Sequence, residues 1–164
     1  MSSYAFGKTV ALPFDTAVQR ITEELAKVGF GVLTEIDVQA TMKKKLGQEM
    51  PPYRILGACN PQFASRAIAA EPQIGALLPC NVVVRQDAAG AVLVEMMDPN
   101  AVLTLVKHPE VGALASEVRQ KLEQALAART AELEAEEMGA ALERDATDVT
   151  LPGDPHPLGA PHPI

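Results

Sequence analysis

Two alternating apolar runs separated by a short turn constrain this chain more than any other feature. In Cys80–Arg85, the residues Cys80, Val82 and Val84 share one face. Ala91–Met97 alternates in the same way and sets Glu95 on a face with Leu93 and Met97. Gln86–Gly90 lies between them, and its glycine supplies the positive φ that a tight turn needs. Such a pair closes as an antiparallel hairpin.

Three more strands are predicted upstream. Tyr4–Leu12 ends at Pro13. Phe30–Val38 alternates Phe30, Val32, Thr34 and Ile36 against Gly31, Leu33, Glu35 and Asp37. Tyr53–Cys59 sets Tyr53, Ile55, Gly57 and Cys59 against Arg54, Leu56 and Ala58. Helices are expected between them. Phe14, Ala17, Val18, Ile21, Leu25 and Val28 recur at helical spacing, and Gly29 stands where the chain leaves that helix. Ala40–Leu46 reads as a short helix whose Lys43, Lys44 and Lys45 form a solvated face. Asn60-Pro61 is a strong helix start, because Asn caps free N–H groups and Pro loses no hydrogen bond in the first turn. That helix ends before Pro72. Ile74–Leu78 is apolar without a clear period and suits a tight helical turn, a pocket wall or a dimer wall. Ala101–Lys107 is ambiguous. Glu110–Ala128 carries Val111, Leu114, Ala115, Val118, Leu122 and Leu126 on one stripe and is a long amphipathic helix.

Charge divides the 164 residues. Met1–Ala128 holds 12 basic and 13 acidic residues, whereas Arg129–Ile164 holds 2 and 8. A near-neutral body with an acidic tail has no basic footprint, so nucleic acid is not an expected partner. No apolar run reaches the ~20 residues that span a bilayer, and no membrane partner is expected. The first residues show no basic-then-apolar export pattern. A cytoplasmic location with free thiols is therefore expected for the two cysteines. Residues 1–128 are expected to form one compact domain, 129–144 an acidic and helix-prone extension, and 145–164 a Pro-rich disordered tail.

The run Gly57-Ala-Cys-Asn-Pro61, the run Ile74-Gly-Ala-Leu-Leu-Pro-Cys-Asn-Val-Val-Val84 and the later Asp98-Pro99 together resemble the domain of unknown function 302 family. Gly29–Val38 fits the same family, and the likeness extends from about Tyr4 to Ala128. The resemblance implies an α+β fold of the TATA-box-binding-protein-like class, a curved antiparallel sheet packed against a long C-terminal helix. It also implies homodimers in some members. It brings no assigned reaction, and shared fold does not supply one.

The candidate site is read from chemistry-bearing residues in this core. Cys59 and Cys80 each end or begin a strand, and each is followed by asparagine. Cys59 also precedes a helix start, where N–H groups favour a thiolate. Cysteine is equally at home as a small buried hydrophobe. The expected ligand contacts are Cys59, Asn60, Cys80, Asn81 and Glu95, around a cleft lined by Ile74–Pro79. Two alternatives remain open: a redox enzyme using Cys59 or Cys80, and soft-metal binding through both thiols with Met96 or Met97. No metal site is assigned, since zinc wants four ligands and paired Cys/His spacing is absent. His108 reads as a helix-start residue, and His156 and His162 as incidental.

Overall fold

The structure is a computed structural model and describes residues 2–127. The expectations for 129–144 and 145–164 lie outside the described residues. Five strands form one antiparallel sheet: β1 (Ala5–Val10), β2 (Gly31–Asp37), β3 (Tyr53–Cys59), β4 (Cys80–Gln86) and β5 (Val92–Met97), in the spatial order β1-β5-β4-β3-β2. The predicted hairpin is present, with Val84 opposite Val94 and Val82 opposite Met96. Its first strand, β4, lies at the centre of the sheet, and β1 and β2 form the two edges.

Helix α1 (Phe14–Lys27) connects one edge strand to the other, so it must cross the sheet. Its spacing buries Ala17, Val18, Ile21 and Leu25 against the sheet. Helix α2 (Val38–Leu46) starts earlier than the sequence suggested, because the Asp37 carboxylate caps the Ala40 N–H. It buries nothing, and its three lysines are exposed as expected. Helix α3 (Pro61–Ala70) begins at the predicted Asn60 cap, whose Oδ1 accepts from the N–H groups of Gln62 and Phe63 at 3.1 and 3.3 Å.

A 3-10 helix over Pro72–Leu77 resolves the apolar stretch that lacked a period. Ile74 is fully buried there. The ambiguous segment after β5 divides into α4 (Pro99–Val102) and a 3-10 turn over Leu103–Leu105. The last described helix, α5, spans residues 109–127. His108 starts it: its Nδ1 accepts from the Glu110 N–H at 3.2 Å.

Two apolar clusters meet along α5. Its C-terminal half sets Val118, Leu122, Ala125 and Leu126 on the covered face of the sheet with Val82, Val84, Val92, Val94 and Met96. Its N-terminal half sets Val111, Leu114 and Ala115 in a second cluster with Ala67, Ile74 and Leu103. Each fully buried Val, Leu or Ile contributes about 1.5–3 kcal/mol, and α5 joins the two clusters together with Phe63 of α3, which packs against both. Among the described residues, neither buried cluster lies on the opposite face of the sheet. Alternation places Tyr53, Ile55, Val83, Leu93 and Met97 there, with Arg85 and Glu95.

Candidate functional site

The junction of the two clusters leaves a cavity of about 40 Å³. Its sheet wall is Ala58, Cys59 and Cys80, and its helical walls are Phe63, Ala67, Leu114 and Val118. Both cysteines line it at the same end of the sheet. Ala58 pairs with Cys80 across β3 and β4 and turns to the same side, whereas Cys59 is the last residue of β3, where the ladder ends and alternation no longer fixes the side chain. There the chain turns into α3 at Asn60. Leu78 and Pro79, joined by a cis peptide bond, bring the chain back into β4 beside the same cavity.

Both thiols are free. Cys80 is buried at 6% exposure, and Cys59 is intermediate. Burial first, and then the neighbouring Cys59, push the Cys80 thiol up to about 11. An apolar wall penalises the thiolate, and a second sulfur close by adds repulsion. Cys80 is therefore a neutral thiol at physiological pH.

Asn60 lines the cavity, but its side chain is already engaged. Its Oδ1 caps α3, and its Nδ2 lies against Gly29. Gly29 has φ +89°, and a Cβ there would meet that nitrogen at 2.9 Å. The glycine thus serves both the end of α1 and the close approach of the cap.

The five expected contacts do not converge. Cys59, Asn60 and Cys80 line the cavity, whereas Asn81 and Glu95 line a separate cleft with Tyr4, Val83 and Met97. The reason is pleat. Neighbours along a strand face opposite ways, so Asn81 turns away when Cys80 turns in. Glu95 shares its side of the sheet with Val83, its partner across β4, and forms an ion pair with Arg85. That hydrogen bond raises the Arg85 guanidinium above its ordinary value. Met96 and Met97 do not line the cavity either. Of the apolar loop, Leu78 and Pro79 reach the cavity, while Ile74 and Leu77 line an open groove with Leu105 and Val106.

Sequence reasoning missed Phe30, Phe63, Leu103, Leu114 and Val118 as cavity walls. The helical stripe marks Leu114 and Val118 as core, but only packing shows which core positions leave a gap. Among the described residues, no group of three or more His, Cys, Asp or Glu is placed to hold a metal ion. Nor is any described helix long and apolar enough to cross a membrane.

A five-stranded antiparallel sheet, with α1 and α5 packed on one side and an apolar cavity lined by two cysteines, defines an α+β domain. The family described as "Domain of unknown function DUF302" matches residues 6–129, and the chain belongs to that family. A solved relative agrees: the crystal structure of the uncharacterized conserved protein DUF302 from Bacillus stearothermophilus superposes with TM-score 0.71 and 28% identity, over 76% of this chain and 97% of that one.

Curated relatives match over shorter stretches. The phenylalanine–tRNA ligase alpha subunit of Geobacillus kaustophilus is 53% identical over 58 residues, which is 35% of this chain and 17% of that subunit. The same subunit from Latilactobacillus sakei is 40% identical over 90 residues, 49% of this chain and 26% of that subunit. The chain thus spans between a sixth and about a quarter of the length of these curated relatives.

Proposed function

We propose that this protein is a small binding module that holds a ligand of a few heavy atoms in the cavity between the Cys59/Cys80 end of the sheet and helices α3 and α5. One observation carries the reading: two cysteines distant in sequence line a single apolar cavity at the junction of two cores. Drug-sized ligands occupy roughly 300–1,000 Å³, so a cavity of about 40 Å³ suits something much smaller. Cys59, Asn60 and Cys80 are the contacts of this site. A thiol-redox role has less support, because burial holds Cys80 in its unreactive neutral form. The free thiols suit a reducing compartment, which supports a cytoplasmic location.

We further propose that two copies associate through the sheet face opposite the core. That face presents Tyr53, Ile55, Val83 and Leu93, and its Arg85 and Glu95 pair with each other rather than repelling a second copy. The ligase name is not carried over, since the match covers 17% of that subunit.

Native mass spectrometry of the purified protein tests the site. The expected result is a native mass above the denatured mass, with the excess lost in a folded Ala64→Phe variant that plugs the cavity. A bare native mass, or an excess that survives the plug, would overturn the assignment. The same spectra report a dimer or a monomer.

A further inference from the structure

We infer that Cys59 and Cys80 form a two-coordinate site for a soft monovalent metal ion, copper(I) being the representative probe. This rests on the cavity reading above and names the class of its occupant. Zinc takes four protein ligands in a closed site, and calcium or magnesium takes oxygens. Two cysteines and no carboxylate line the cavity, and among the described residues no third His, Cys, Asp or Glu joins a cluster with them. A soft ion satisfied by two thiolates is the metal chemistry that such a donor set selects.

The surroundings fit that ion. Phe63, Leu114 and Val118 keep the cavity apolar, which excludes the water that a hard cation would retain. Binding is ligand exchange without change of oxidation state. The ion's positive charge offsets the burial that otherwise favours the neutral thiol, so each S–H releases its proton to solvent as the metal binds, each Sγ donates an electron pair to the metal, and the metal leaves its delivering chelator. Two thiolates with one monovalent ion leave a single net negative charge. The N-terminus of α3 begins at Pro61, two residues after Cys59, and its partial positive charge offsets part of that excess. The cavity volume of about 40 Å³ accommodates one ion and not a polynuclear cluster.

The test is an anaerobic titration in which the reduced full chain competes with a chromophoric copper(I) chelator. The expected result is one equivalent of copper(I) per chain. Cys59→Ala and Cys80→Ala should each compete at least roughly 100-fold more weakly, since even outer-shell losses cost 10–100-fold at metal sites. Cys59 is the less buried of the two, so Cys59→Ala keeps the test sound if Cys80→Ala fails to fold. No uptake by the wild type, or unchanged uptake by folded Cys59→Ala, would overturn the proposal. Xenon binding to the cavity tells the two failures apart. Xenon without copper leaves the small-ligand reading standing, and neither occupant removes both.

Discussion

Raising the pH from 9 to 11 should cost the wild-type protein stability that a Cys80→Ala variant keeps. The Cys80 thiol is pushed from its ordinary 9.0 to about 11, first by burial and then by the neighbouring Cys59. Below pH 9 the folded and unfolded chains both hold the proton, so the contribution is fully present. Between the two values the unfolded chain loses its proton while the folded chain retains it, and stability falls as pH rises. Above the folded value the loss is complete. At about 1.4 kcal/mol per pKa unit, this shift corresponds to a loss of about 3 kcal/mol. Lysines and tyrosines titrate in the same window, so the informative quantity is the difference between wild type and variant. Urea unfolding at closely spaced pH values measures it. Removing the sulfur adds a constant offset of about 1 kcal/mol, which does not change with pH. Because each end of the window is half-titrated, the wild-type advantage should shrink by about 2 kcal/mol between pH 9 and 11. Parallel curves would show that Cys80 titrates as an ordinary thiol and that the wall around it is not dry.

Three further outcomes follow from the same geometry. Gly57→Ala should destabilise by about 1–3 kcal/mol, because its Cβ would meet the Thr34 Oγ1 at 2.2 Å and Pro79 Cγ at 2.9 Å; Thr34→Ala should recover part of the loss in a double-mutant cycle of urea midpoints. Asn60→Ala removes the α3 cap and should cost about 1 kcal/mol in thermal unfolding. At neutral pH the native Cys80 should alkylate about 100-fold more slowly than an ordinary thiol, as read by timed iodoacetamide labelling and peptide mapping.

The sheet was legible where its cause is local. Val82 and Val84 against Val92 and Val94, with a glycine turn between, specify a hairpin without reference to the rest of the chain. The caps at Asn60 and His108 were legible for the same reason, since each acts within its own first turn. Strand order was not, because β1 pairs with β5 across most of the domain, and no sequence pattern records a pairing of that separation. The candidate site divides along the same line. Two Cys-Asn pairs look equivalent in sequence, yet Asn60 is a helix cap and Asn81 is an exposed strand residue. Alternation placed Glu95 with Leu93 and Met97. Only the β4–β5 register, Val83 opposite Glu95, reveals that this side of the sheet is not the one Cys80 faces. The remaining walls come from α5 and Leu103, which tertiary packing alone brings to the sheet.

The central claim is that the Cys59/Cys80 cavity accepts a small guest. Backbone amide NMR of the full chain under xenon pressure tests it most directly, since dry apolar cavities of small size take up xenon. The account predicts saturable shifts confined to Ala58–Ala67, Leu78–Cys80 and the Leu114–Val118 turn of α5, absent in Ala64→Phe. Shifts that never saturate, or that fall only on the exposed sheet face around Val83 and Leu93, would contradict it.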